Sequence, residues 1–148
     1  MKIRDSMTHD VHIARPDQPI GDAAKIMASN DIGVLPVGDN DRLVGMITDR
    51  DIAVRAVAAG KGPDTPVRDI MSAEVCYCFD YQELDEVATN MADIKVRRLP
   101  VVNQDRRLVG IISLADLALA DDPHESASAA LCGVSEPGGE HSQANGRA

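Results

Sequence analysis

Leu35-Pro36-Val37 followed by Leu43-Val44-Gly45-Met46-Ile47-Thr48-Asp49-Arg50-Asp51 is written a second time, as Leu99-Pro100-Val101 followed by Leu108-Val109-Gly110-Ile111-Ile112-Ser113-Leu114-Ala115-Asp116. The copies stand 64 residues apart up to the Pro-Val and 65 apart after it, so the turn between them has gained one residue. A solenoid needs three or more units, and a motif this long occurring twice predicts two similar halves packed on each other. Related halves also make related clefts, and clefts between units are where small ligands bind. Function is therefore to be sought at equivalent positions of the two copies.

Working outward from the first copy, Val11 to Ala14 reads as extended. Pro19 to Asn30 reads as an amphipathic helix with Ile20, Ala23, Ala24 and Met27 at helical spacing. Gly33 to Val37 and Leu43 to Ile47 read as a hairpin around the turn cluster Gly38-Asp39-Asn40-Asp41. A helix from about Asp49 to Ala59 stops at Gly60, a residue suited to the position after a helix end. Lys61 to Thr65 forms a hinge, and Pro66 starts a short helical turn through Met71. The second copy retraces this order: a strand at Val75 to Cys78, a helix carrying Leu84, Val87, Ala88 and Met91, strands at Arg98 to Val102 and Leu108 to Ile112, and a helix from Leu114 to Ala120. Met7/Met71, Val11/Val75, Ala24/Ala88 and Met27/Met91 match in chemistry as well as in register. The predicted fold class is mixed α/β (α+β), with two β-α-β-β-α repeats. The expected domains are residues 1–62 and 63–120. A tail, 121–148, rich in Ser, Ala, Gly, Glu and Pro, is expected to be partly disordered, with a short helix at Ala127 to Cys132.

Composition narrows the function. With 44% hydrophobic and 26% charged residues, the chain reads as an ordinary globular protein. A net charge of −9 opposes binding to a nucleic-acid polyanion, which needs a basic surface. It leaves room for a single nucleotide met by one or two local arginines. Phe79, Tyr77 and Tyr81 are the whole aromatic complement, so few stacking platforms are expected and an adenine would lie between aliphatic side chains. Nothing apolar follows the charges of Met1-Lys2-Ile3-Arg4-Asp5, and the most apolar segment, Leu108 to Ala120, is 13 residues long. These features predict no membrane span and a cytoplasmic location. Cys76, Cys78 and Cys132 are too few for a disulfide scaffold and are expected to be buried thiols. His9, His12, His124 and His141 show no metal-ligand spacing, and no phosphate loop or nucleophile motif is present, so neither a metal site nor catalysis is expected.

The residues that remain are Thr48-x-x-Asp51 and Ser113-x-x-Asp116, each at a strand-to-helix junction. Ser or Thr followed three residues later by an acid is the pattern of a helix capping box, worth roughly 1 kcal/mol for the cap. Against a purely structural role stand three features. The acid is Asp in both copies, shorter than the usual Glu. Gly45 and Gly110 permit close approach of a backbone or a ligand. Helix starts attract anions through their amides. A hydroxyl and amides for phosphate, with a carboxylate one turn away for ribose hydroxyls, would make a nucleotide edge. Asp49-Arg50 reads as an exposed helix start, with Arg50 within reach of a phosphate.

These doubled motifs resemble the signature of tandem CBS domains, the pair called a Bateman module, over residues 5 to 120. The resemblance implies two pseudo-symmetric repeats packed through their small sheets. It implies clefts between them for AMP, ADP, ATP, NAD or S-adenosylmethionine, no required cofactor, and no catalysis. It further implies that Asp51 and Asp116 bond ribose while Thr48 and Ser113 lie near ribose and phosphate. Arg97 and Arg98, at a place where members of the family carry basic residues, make the second site the better one for phosphate; the first copy has Gly33 and Val34. Met7 through Ile13 would serve the second site by backbone contacts, and Met71 through Tyr77 the first. The implied assembly is a homodimer, joined by the apolar faces at Ile52, Val54 and Val57 and at Leu117 and Leu119, acting as a sensor on an unidentified protein target. A ligand-free dimerisation scaffold is the rival reading.

Overall fold

The computed structural model describes residues 1–120; the expected disorder of the tail, the helix at Ala127 to Cys132, and Cys132 itself lie outside the described residues. Two compact units divide the chain. One is His12–Val75. The other joins Met1–Val11 to residues 76–120. The opening segment of each sequence repeat is thus built into the unit that carries the other repeat's motif.

In the unit of residues 12–75, helix α1 (Ile20–Asn30) precedes the hairpin β1 (Val34–Asp39) and β2 (Arg42–Thr48). α1 turns Ile20, Ala23 and Met27 onto Leu35, Val37 and Ile47, and Val67 and Ile70 close the same core. Asn40 and Asp41 take φ of 52° and 67°, the left-handed pair that a two-residue hairpin turn demands. Beyond β2 the chain enters α2 (Asp49–Asp51) and continues in π-helical geometry through Ile52–Val57, in place of the uniform α-helix expected there. Gly60, at φ 79°, ends the helical run as expected. A 3-10 turn at Val67–Asp69 follows Pro66, which caps it. Ser72 then bridges Met46 through two backbone bonds of 3.0 Å, while Ala14 bridges Val37 on the far edge.

The other unit repeats the plan with a three-stranded sheet of order β3-β4-β5. Its members are β3 (Cys78–Phe79), α3 (Leu84–Ile94), β4 (Arg98–Val102), β5 (Leu108–Ser113) and α4 (Leu114–Leu119). β3 starts later than the Val75 expected from sequence and runs parallel to β4. Leu84, Val87, Ala88 and Met91 of α3 pack on Leu99, Val101, Ile112 and Leu117, with Ile3 and Met7 from the N-terminal segment. Thr8 bridges Ile111 as Ser72 bridges Met46. Both long helices end on a left-handed residue other than glycine, Asp31 at φ 52° and Lys95 at φ 59°, so even this strained cap is duplicated. Of the two described cysteines, Cys78 meets the expectation of a buried thiol and Cys76 does not. Cys76 is exposed, and burial pushes the Cys78 thiol up to about 12. The residue just outside a two-residue edge strand has no sheet to cover it.

Candidate nucleotide corners

Each hairpin delivers its second strand into a short helix, and the two junctions form equivalent corners. In the first, Thr48 ends β2 with extended backbone (φ −118°, ψ 162°). Its hydroxyl accepts from the Asp51 amide at 3.0 Å, and its own amide donates to Asp51 Oδ2 at 2.9 Å. In the second, Ser113 Oγ accepts from the Asp116 amide at 3.3 Å and the Ser113 amide donates to Asp116 Oδ2 at 2.8 Å. Ser113 Oγ also donates to that oxygen at 3.0 Å. Both corners are therefore complete capping boxes built with aspartate. The shorter Asp, expected to be a poorer box partner than Glu, closes the box in both copies: with the cap residue extended, the helix start brings its carboxylate within reach of the cap amide.

The glycines are also accounted for by the chain itself. A Cβ on Gly45 would lie 2.6 Å from the Ser72 carbonyl oxygen and 2.8 Å from the Met71 sulfur. On Gly110 it would lie 2.7 Å from both the Thr8 carbonyl oxygen and the Met7 sulfur. The close approach foreseen at these positions is that of a backbone and a methionine side chain.

What the boxes leave over is the second oxygen of each carboxylate. Oδ2 carries the box, and among the described residues Oδ1 of Asp51 and of Asp116 accepts no hydrogen bond. Asp51 is only 5% exposed, so its carboxylate sits largely out of water with one oxygen unsatisfied. Burial raises its pKa above the ordinary value. The Thr48 amide and hydroxyl, then Arg55 and Arg50, pull the other way. Arg55 is the residue that sequence reasoning missed. Its spacing of four from Asp51 along a helix was the available signal.

Arg98 is the cross-strand partner of Ser113, so their side chains share a face of the sheet, and the corresponding partner of Thr48 is Val34. Arg97 lends its carbonyl oxygen to the Leu114 amide, as Gly33 does to Asp49. Both arginines are exposed, and neither forms an ion pair with a described residue. Ile13 is exposed in the first corner's unit. Tyr77 belongs to the second corner's unit, where its hydroxyl accepts from Arg106 Nη1 at 2.8 Å and its ring meets Phe79 edge-on at 5.7 Å. Phe79 stacks on Tyr81 at 5.1 Å and Arg106 lies over its ring at 5.8 Å. The chain's three aromatics form one cluster. Their alternate spacing, which places them on one side of an extended run, was the signal for it.

An open depression of about 460 Å³, lined by Arg4, Asp80, Tyr81, Asn103, Gln104 and Asp105, shares no residue with either corner. Among the described residues no group of three His, Cys, Asp or Glu side chains is placed to hold a metal ion, and no helix is long and apolar enough to cross a membrane.

The CBS domain-containing protein YhcV of Bacillus subtilis is 41% identical over 133 residues, covering 90% of this chain and 94% of its own. The CBS domain pair of protein MJ0100, solved with 5'-methylthioadenosine and S-adenosyl-L-methionine, superposes with a TM-score of 0.69 at 31% identity, covering 80% of this chain and 93% of that one. CBSX2, solved in complex with AMP, gives a TM-score of 0.68 at 27% identity, covering 78% and 91%. The CBS domain family matches at residues 3–57 and again at 67–122, and the chain belongs to that family as a tandem pair.

Proposed function

We propose that the protein is a non-catalytic cytoplasmic sensor that binds adenosyl ligands at its two aspartate corners and responds by changing conformation. The ligand class is AMP, ADP, ATP, NAD or S-adenosylmethionine. The observation that carries this reading is the unused Oδ1 of Asp51, an acceptor held in a buried corner whose other oxygen is fixed by Thr48. A carboxylate oxygen held in that way suits a ribose hydroxyl donor. CBSX2 with AMP and MJ0100 with methylthioadenosine and S-adenosylmethionine support the ligand class. At the second corner, Arg98 across from Ser113 supplies the phosphate partner. Signalling requires that the ligand favour one of two arrangements of the protein.

Calorimetric titration with AMP, methylthioadenosine and S-adenosylmethionine tests the reading. Saturable binding is expected, and it should disappear in the double variant Asp51→Asn/Asp116→Asn. Asparagine keeps an oxygen for the capping box but replaces the second acceptor by a donor. At the second corner, Arg98→Ala should weaken AMP about tenfold while leaving adenosine unchanged, the loss expected for one charge-assisted hydrogen bond.

A second reading, a ligand-free dimerisation scaffold, draws on the apolar side chains left in solvent. Val54 and Val57 are 51% and 68% exposed on the π-helical run, and Leu119 is 84% exposed at the end of α4. Flat titrations from a protein that sediments as a stable dimer would favour the scaffold and dismiss the sensor.

A further inference from the structure

The corners differ in charge: beside the hydroxyl the first carries Asp49 where the second carries Leu114, and on the facing strand the first carries Gly33 and Val34 where the second carries Arg97 and Arg98. In the first, Asp49 Oδ2 lies 2.9 Å from where a Cβ of Gly33 would stand, so the carboxylate is folded down onto the start of β1. Glycine at position 33 leaves that space open to it. The residue equivalent to Gly33 in the second corner is Arg97, and Leu114 is equivalent to Asp49; the backbone bonds Asp49 N to Gly33 O and Leu114 N to Arg97 O, 3.0 and 3.1 Å, fix the equivalence. One strand position further on, Val34 faces Thr48 while Arg98 faces Ser113.

Counting formal charges around each corner, the first has Asp49 and Asp51 against Arg50 and Arg55, and the second has Asp116 against Arg97 and Arg98. Arg55 in the first corner is partly drawn away, its Nη1 lying 3.4 Å from the Met71 carbonyl oxygen. The first corner therefore sets the Asp49 carboxylate beside the exposed Arg50, with the apolar Val34 across the strands, where the second offers two exposed cations and no counterpart of the Asp49 carboxylate. A phosphate at the first corner would meet Asp49 as a like charge, whereas an uncharged or positively charged substituent would not.

We infer that the first corner takes an adenosyl ligand without phosphate, a neutral thioether or a cationic sulfonium, and that the second takes the phosphorylated one. The inference rests on the reading of the corners as adenosyl sites. It makes the protein a two-input device, in which each corner answers to a different adenosine derivative.

The experiment isolates the first corner with Asp116→Asn in the full chain and titrates methylthioadenosine, S-adenosylmethionine and AMP separately. The expected result is that the first two bind and AMP binds about tenfold more weakly or not at all, the size expected for one like charge a few ångströms away near a surface. Asp49→Asn in that background should raise AMP affinity severalfold and leave methylthioadenosine unchanged. That split distinguishes an electrostatic filter from a helix-start residue that merely supports the fold. AMP binding as tightly as methylthioadenosine, or a ratio indifferent to Asp49→Asn, would overturn the inference while leaving adenosyl binding intact. Absence of binding by all three ligands in both the isolated corner and the wild-type chain would remove the underlying reading, and the inference with it.

Discussion

At the first corner a buried threonine and aspartate start a helical run that widens into π geometry, with Asp49, Arg50 and Arg55 around them. At the second, a half-buried serine and aspartate start a regular α-helix, with Arg98 directly across the strands. The hydrogen bonds that close the box are the same, and so are the glycine beneath it and the crossing segment that the glycine admits. Charge, burial and helix geometry differ. Duplication has kept what the backbone needs, namely a donor–acceptor exchange at a helix start and a strand crossing over glycine. It has let the side chains that would face a ligand diverge. A difference in what the two corners bind would therefore lie in the diverged set.

The shared half of this comparison predicts the largest effects. Gly45→Ala and Gly110→Ala each place a Cβ within 2.7 Å of a backbone carbonyl oxygen, on Ser72 and Thr8 respectively. Backbone cannot swing aside as the methionine tip can, so each substitution should cost about 2–3 kcal/mol of stability. Urea unfolding measures this. Gly62→Ala, whose Cβ meets nothing within 4 Å, is the control and should stay within about 0.5 kcal/mol of wild type. A large loss at one motif glycine and none at the other would show that only one crossing segment is held as described, and would break the equivalence of the corners.

The order of elements was legible because hydrophobic spacing and turn residues act locally. Ile20, Ala23 and Met27 declare a helix face, and Asn40-Asp41 a tight turn, whatever else the chain does. The identity of the corner residues was equally legible, since the motif fixes them twice. Two things were not. The exchange of opening segments, residues 1–11 into one unit and 63–75 into the other, is a long-range pairing that leaves no periodicity and was foreseen only through the family resemblance. The glycines at 45 and 110 were its trace, but a glycine states only that something comes close, and here it is Ser72 and Thr8. The approach of Asp49 to position 33 was hidden for a related reason, since the two stand 16 positions apart with a hairpin between them.

Burial should separate the corners when the cap hydroxyls are removed. Thr48→Ala leaves the Asp51 amide without its acceptor in a corner where both residues are under 10% exposed, and should cost about 1–2 kcal/mol. Ser113→Ala removes the same bond, at 3.3 Å, from a half-buried corner where water can replace the hydroxyl, and about 0.5–1 kcal/mol is expected. Chemical denaturation of the two variants side by side measures the difference. Equal losses would mean that the burial difference between the corners has no energetic weight.

The smallest effect concerns pH and tests the burial of Asp51 directly. Burial raises its folded-state pKa above the ordinary 3.8, only partly offset by the Thr48 hydrogen bonds and by Arg55 and Arg50. An acid whose pKa is higher in the folded state binds its proton more tightly there. Below the unfolded value both states are protonated and the folded state keeps its full benefit; as pH rises through the folded value, that benefit is lost. Asp51 therefore lowers stability at neutral pH relative to its protonated form. Asp51→Asn, which keeps an acceptor for the Thr48 amide without a buried charge, should remove this contribution. The variant should gain on wild type as pH rises from below 3.8 to neutrality, and then hold a constant advantage. Stability curves from pH 3 to 7 measure the difference. If the advantage instead shrank as pH rose, the ionised carboxylate would be stabilising the corner, and the claim that its second oxygen lacks a partner would have to be withdrawn.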